Sequence, residues 1–484
     1  MNYILGNDRS QVRIECIEDY VEPDNEVRVI DKIIDALDIE FLGFKIGNND
    51  FVGRPMFDPK DMLKLMVYGY FNGIRSSRKL AKQAKINREV IWLINGLQPK
   101  YRVIADFRKD NIDALTKVFE SFVEYCIELG LYGKELIAVD GTKIEASVSK
   151  RKHYSKNKIN KMKELAQSKI NEYIHDFEIN DSSEDNEEVQ LKKKEIENAL
   201  QKLENKMQEY DELEKILNKN GVNEINFTDK DARTVKFGAH QGTDVGYNIQ
   251  AAVDAKNKLI TTFEVINNSA DQGQLYNLSS KSKSIFDVES IESLADKGYF
   301  EPSDLKKCEE NQIICYVSKP SFHNSTGNSV YFSDKFKYNP QDNTYTCPEG
   351  HKLLCITKKI DAAERKYANY EACPKCSNKD KCTTAKNGRI ITRKSNEDFV
   401  EIVNNRTKEN KAKYTKRQEI IEHVFGTLKR SMNFTYVLLR GFKKVTGEIS
   451  IAFFSYNLKR VINILGVEKF LGYLNNNKIV KVAA

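Results

Sequence analysis

The stretch LIAVDGTKI, Leu136 to Ile144, is where the chain changes character. Upstream, apolar residues recur every three or four positions. Here Leu136, Ile137, Ala138 and Val139 follow one another and end on Asp140, the pattern of a buried central strand that delivers one polar side chain to the edge of a sheet. The device returns in SIESLADKGYF, Ser290 to Phe300, where a short apolar run ends at Asp296 and Gly298 permits a tight exit.

Between these two runs, GYNIQAAVDAKNKLITTFEVI predicts a β-hairpin over Gly246 to Ile266, turning at Asp254 to Lys258. DQGQLYNLSSKSKSIF then predicts a helix with Asp271 as N-cap and Gln274 as its reciprocal partner. A helix after Pro302 and a strand at IICYVS complete an α/β pattern. Far downstream, KAKYTKRQEIIEHVFGTLKR, Lys411 to Arg430, predicts a helix with an apolar side of Ile420, Ile421, Val424, Phe425 and Leu428. Glu422 is an acid in basic surroundings, and Lys429, seven residues on, shares its face.

Outward to the N-terminus the pattern is helical as far as about Leu131. In RPMFDPKDMLKLMVYGYFNGIRSSRKLAKQAKI, Asp58 before Pro59 starts a helix with the apolar face Met62, Leu63, Met66, Val67 and Tyr70. Gly73 breaks it, and Ser76 or Ser77 opens a second, basic helix. Such a pair suits helix-turn-helix-like DNA binding, or equally a helical bundle with solvated lysines. A third helix near Asn111 to Gly130 carries Leu115, Val118, Phe119, Phe122, Val123, Cys126 and Ile127 as a core face, and the single Trp92 reads as core.

Two insertions interrupt the α/β pattern. From Ile159 to Asn220 the chain is rich in Lys and Glu, with Ile196, Leu203, Tyr210 and Leu217 at seven-residue spacing and Leu200 and Met207 between them. This predicts a helical hairpin or short coiled coil, its exposed turn at Asn180 to Glu188, and a protrusion rather than an enzyme site. The second, Lys319 to about Asn396, holds five of the nine cysteines. Cys373, Cys376 and Cys382 approach a zinc-knuckle spacing, and Cys347 in TCPEGHKLLC completes a candidate structural zinc site; His351 and Cys355 are rival fourth ligands, and unmetallated thiols or an iron–sulfur cluster are the other readings. Cys16, Cys126, Cys308 and Cys315 sit among apolar residues as small core side chains.

With 484 residues, 40% hydrophobic and 30% charged, the chain has room for two to four domains. It has no apolar run long enough to span a bilayer, and MNYILGNDRSQ lacks the features of an export signal, so a cytoplasmic location is expected. A disulfide framework is not expected either. The net charge of +7 is modest because an acidic middle offsets basic ends, which favour nucleic acid as partner.

Phosphodiester chemistry supplies a reason for three separated acids. A charged phosphate with a poor leaving group needs both attacking and departing oxygens stabilised, and two Mg²⁺ (or Mn²⁺) ions held by a few carboxylates do this. Asp140, Asp296 and Glu422, in the order strand, strand, helix, suit a ribonuclease-H-like mixed sheet. Lys143 and Lys297, each close after an aspartate, can hold phosphate or face solvent, while His423 points to another face than Glu422.

GRPMFDPKDMLKLMVYGYFNGIRSSRKL, VDGTKIEA, GYNIQAAVDAKNKLI, ADKGYF and YTKRQEIIEHVFGTLKR together give nearly the whole chain a second reading. It resembles bacterial insertion-sequence transposases of the DDE type with an InsH-like N-terminal module. The resemblance implies that Asp140, Asp296 and Glu422 are the metal-binding triad, and that Tyr414, Arg417 and Lys429 contact transposon-end phosphates. It implies double-stranded DNA as partner, both inverted-repeat ends and target, with at least a homodimer pairing two ends and no membrane. One departure stands out: the Tyr and Arg usually precede the Glu by seven and four residues, but here by eight and five, with Gln418 in the usual Arg place. At about 100° per residue that sets Arg417 off the Glu422 face.

The expected organisation is a helical DNA-binding domain at 1–131 and a ribonuclease-H-like catalytic domain at 132–470. The helical hairpin at 155–225 and the cysteine-rich segment at 319–396 are insertions, and 471–484 is a tail. A nuclease of the same fold that cuts without joining, or a decayed protein that only occupies inverted repeats, are the alternatives.

Overall fold

The computed structural model describes residues 10–12, 14–46, 55–181, 187–238, 242–319, 324–359 and 364–476. The centre of the turn expected at Asn180 to Glu188, Gly53 and Arg54 of the N-terminal motif, most of the leader reading and the end of the tail lie outside these residues.

The chain is a mixed α/β structure. Its main sheet is built from β1 (Leu136–Glu145), β2 (Arg233–Gly238), β3 (Gly242–Asp254), β4 (Ile260–Ile266), β5 (Ile291–Ala295) and β6 (Ile313–Val317). The order is β2–β3–β1–β5–β6, with β4 also on β3. β1 pairs antiparallel with β3, as β3 does with β4, whereas β1, β5 and β6 run parallel. The apolar start of β1 explains its central place: Ile137, Ala138 and Val139 are fully buried, as a strand covered on both faces requires.

Helix α1 (Pro59–Phe71) starts where Asp58 accepts the Lys60 N–H at 2.7 Å and Pro59 takes the first turn. The sequence predicts one apolar face. Instead every residue from Met62 to Phe71 is buried, including Lys64, whose ammonium lies 2.6 Å from Asp31 and 2.8 Å from Asp35. Ser76 is the N-cap of the basic helix Ser77–Ile86, whose Arg78, Lys79, Lys82 and Lys85 are exposed.

The change from helix to strand near residue 131 is not a gap between cores. One hydrophobic cluster runs from Val29, Leu63 and Leu80 through Ile137, Val253 and Leu294 to Val424 and Phe454. Helix α2 (Ile112–Glu128) packs against the long C-terminal helix Phe442–Leu465, with Phe122 and Phe454 ring centres 5.1 Å apart. Edge contacts of this kind add to area burial.

Outside that core, Lys156–Asp181 and Glu187–Lys219 form two packed helices. Ile159, Leu213, Leu217 and Ile225 make a small cluster at their base. The second insertion forms a separate five-stranded antiparallel sheet. Two expectations about single residues change. Cys16 is exposed, unlike the buried Cys126, Cys308 and Cys315, because the segment around it lies over the surface. Trp92 is only half-buried, its indole N–H donating to Glu18 at 2.8 Å.

Candidate active site

The last register pair between the parallel strands β1 and β5 is Val139 with Ala295. Asp140 and Asp296 are the next residues and stand side by side just past that pair. Asp296 leaves the end of β5, whereas β1, expected to end at Asp140, runs on to Glu145 with Asp140 opposite Ala251, because β3 continues to pair with it on its other edge. On its other edge β1 has the antiparallel β3. The sheet thus changes from antiparallel to parallel pairing at β1.

Asp140 is partly buried, 26% exposed. One carboxylate oxygen accepts the Gly141 N–H at 2.8 Å and the other lies 3.4 Å from Arg417 Nη1. Burial pushes its pKa up to about 6, helped by Asp296 and Asp271, while the Gly141 amide and Arg417 pull against that rise. Asp296 accepts the Gly298 N–H at 2.5 Å and caps the short turn Lys297–Tyr299. A side chain at 298 would meet that carboxylate at 2.8 Å and Asp271 at 3.5 Å, which is why the exit from β5 needs glycine.

Asp271 is the third acid the structure brings here. It was expected to cap a helix. That helix, α3 (Gln274–Phe286), is instead preceded by Gly273 at φ +81°, and no side chain caps it. The Asp271 side chain turns inward, where Oδ1 accepts from Gln250 at 2.7 Å, Lys143 at 2.8 Å and Asn248 at 2.9 Å. The longer-range bonds outweigh a cap because Asn248 and Gln250 are wholly buried and need partners. Tyr299 completes the network by donating its hydroxyl to the Gln250 carbonyl. Burial first, then the charges of Asp140, Asp271 and Asp296, hold the Tyr299 phenol protonated. The readable signal was in β3: Asn248 and Gln250 are two amides on one face of an otherwise apolar strand.

Asp271→Asn should therefore cost about 1–3 kcal/mol of stability, since it breaks a charge-assisted bond to Lys143 and turns one acceptor into a donor facing donors. Urea denaturation of the purified variant checks this; a loss below about half a kcal/mol would count against a tight network.

Helix α4 (Lys411–Gly426) lies across β1, β3 and β5. Ile421 and Val424 are buried on its inner side, Tyr414 packs on the core, and Arg417 sits between them at 14% exposure. The displacement of Arg417 from the Glu422 face is thus what turns it toward Asp140. Its Nε is buried with no hydrogen-bond partner among the described residues. Glu422 is exposed on the helix, and Lys297 is exposed beside Asp296. Lys429 is half-buried in the turn after α4, and burial together with the Lys143 charge lowers its pKa. His423 contacts the Tyr456 hydroxyl at 3.0 Å.

Among the described residues no three His, Cys, Asp or Glu side chains are arranged to hold a metal ion. The adjacent carboxylates of Asp140 and Asp296 nonetheless suit Mg²⁺, a hard cation that takes one or two carboxylates and completes its shell with water and substrate phosphate. The four cysteines singled out by spacing, Cys347, Cys373, Cys376 and Cys382, line one small cavity in the separate sheet, together with His351 but not Cys355. No described helix is long and apolar enough to cross a membrane.

Residues 15–110 match the family model described as Transposase domain (DUF772), and residues 346–462 match the one described as Transposase DDE domain. The second span takes in α4 with Arg417 and Glu422, while Asp140 and Asp296 lie outside both. No curated protein and no solved structure matches the chain.

Proposed function

Because the chain belongs to the insertion-sequence transposases of the DDE type, we propose that it binds the inverted-repeat ends of its element, cuts the DNA strand there and joins the freed end to target DNA. The observation that carries this reading is the side-by-side placement of Asp140 and Asp296, each next after the last pair of two adjacent parallel strands. The order β4–β3–β1–β5–β6, antiparallel at one side and parallel at the other, supports a ribonuclease-H-like reading of the sheet.

In this proposal Asp140 and Asp296 hold divalent cations, which when bound stabilise the attacking and leaving oxygens of an in-line displacement. Arg417 offers its unpartnered Nε to the phosphate next to Asp140, and Lys429 and Lys143 add positive charge along the same strand. Lys297 and Tyr414 flank that path. Phosphate contacts of this kind set register rather than read sequence. The exposed lysines and arginine of Ser77–Ile86 meet duplex DNA in the N-terminal part, and pairing two ends requires at least two copies of the chain.

The third carboxylate is Glu422, reaching in from the exposed side of α4, and Asp271 is its structural rival because it already borders both aspartates. Strand cleavage of an end-bearing oligonucleotide with Mg²⁺ separates them. Loss of cleavage in Glu422→Gln with DNA binding retained supports Glu422. Normal cleavage by Glu422→Gln together with none by Asp271→Asn transfers the role to Asp271. Pre-cut ends, tested for joined products, distinguish a transposase from a nuclease that only cuts.

A further inference from the structure

Among the described residues, the small sheet made by Lys337–Asn339, Thr344–Thr346, Lys352–Cys355, Glu364–Ala368 and Ile391–Lys394 buries a core of Phe336, Tyr345, Leu353, Tyr367 and Ile391, with Tyr338, Cys347, Cys355 and Cys382 partly buried against it. A core of that size is too small to hold a unit together by apolar burial, and natural units of this kind add a disulfide or a structural metal. All its cysteines are free thiols.

Four of them come from three separate places and meet at one cavity. Cys347 follows the second strand and enters a turn in which its N–H donates to the His351 carbonyl at 2.9 Å, while the His351 N–H donates to Cys347 Sγ at 3.3 Å. Cys373 and Cys376 bracket a short helical turn, where the Cys376 N–H donates to the Cys373 carbonyl at 3.3 Å. Cys382 ends the next turn. The cavity they line holds about 30 Å³, room for one small species. Gly388 packs on one of the four: a side chain there would fall 2.3 Å from Cys373 Cβ. Arg389 lines the same cavity, and its Nε is buried and lacks a hydrogen-bond partner among the described residues.

We propose that Cys347, Cys373, Cys376 and Cys382 bind one zinc ion as a closed tetrathiolate site that staples the small sheet, with Arg389 offsetting the excess negative charge. Thiolates are soft ligands that take zinc rather than the hard Mg²⁺ proposed for the aspartates. Four sulfurs leave no open position, so the site is structural rather than catalytic. The thiols line the cavity without standing at ligand spacing, and zinc, at about 2.3 Å from each sulfur, draws them together and displaces their protons. The backbone N–H on Cys347 Sγ is placed to stabilise a thiolate there. Nothing in this inference depends on the aspartate site.

Metal analysis of the purified full-length protein should find about one zinc per chain. The Cys373→Ser/Cys376→Ser double variant should lose it, and Cys355→Ser should keep it. Cobalt(II) exchanged into the parent protein should show the absorption of tetrahedral thiolate coordination, a readout that survives if the double variant fails to fold. A parent protein with no bound zinc, one carrying iron instead, or a double variant that retains its zinc would each overturn the proposal.

Discussion

Asp140→Asn should stop metal-dependent strand cleavage and at the same time make the protein harder to unfold at neutral pH. The loss of activity should exceed the roughly 10–100-fold that removing an outer partner costs at a metal site, because on the proposed function a ligand itself is removed. The gain in stability follows from the raised pKa of about 6. The ordinary carboxyl value is 3.8, so between these two values the folded protein holds a proton that the unfolded chain has released. Stability contributed by this group is therefore greatest below about pH 4, falls as pH rises, and is fully lost above about pH 6. By the usual conversion the ionised carboxylate costs on the order of 2–3 kcal/mol at pH 7.5. Asn keeps the shape and the acceptor for the Gly141 N–H, removes the charge, and forgoes the attraction of Arg417. A net gain of about 1–2 kcal/mol in urea at pH 7.5, shrinking toward zero at pH 4, is expected. A variant no more stable than the parent at pH 7.5 would show that the carboxylate is not held under strain, and normal cleavage would remove Asp140 from the site.

Glu448→Ala should destabilise the whole chain by about 3–5 kcal/mol, and its effect should reach the N-terminal helices. Glu448 is fully buried on the long C-terminal helix. One oxygen accepts the N–H groups of Leu438 and Leu439 at 2.8 and 2.9 Å; the other meets the Tyr70 hydroxyl at 3.1 Å and Arg75 at 3.4 Å. Arg75 is itself buried, donates to the Tyr436 carbonyl at 2.6 Å, and lies over the rings of Phe434 and Tyr436. Removing Glu448 strands this guanidinium and two peptide N–H groups away from water. Trp92 fluorescence reports on the N-terminal helices alone, and circular dichroism on the entire chain. Both should shift to lower urea together in the variant. An unchanged Trp92 transition would mean that the helices of 1–131 unfold independently, and a loss under about 1 kcal/mol would mean that the pair is not essential.

How far the site was readable follows from where each residue's partners lie. Asp296 could be found because a buried strand must be apolar along its length, so the first charge after it marks its end; the same rule singled out Asp140, although β1 runs on past it to Glu145. Asp271 could not, since any acid before a helix satisfies the local logic of a cap. Its actual partners, Lys143, Asn248 and Gln250, come from two other strands. The spacing of Tyr414, Arg417 and Glu422 was equally visible, but spacing fixes only angles between side chains on one helix. Which angle faces Asp140 depends on how the helix is rotated against the sheet.

By itself, then, the sequence determined most elements of the main sheet and their order, the two aspartates and the basic character of α4, because periodicity and turn chemistry are properties of neighbouring residues. It missed β2 and the five short strands of the cysteine-rich segment, which are too brief to carry a period. Tertiary structure alone decided three things. Arg417 rather than Glu422 meets Asp140, Asp271 joins the aspartates, and the N-terminal helices share a core with the sheet. Each depends on segments far apart in the chain being pressed together by the burial of apolar side chains, and that packing is non-directional and leaves no local periodic mark in the sequence.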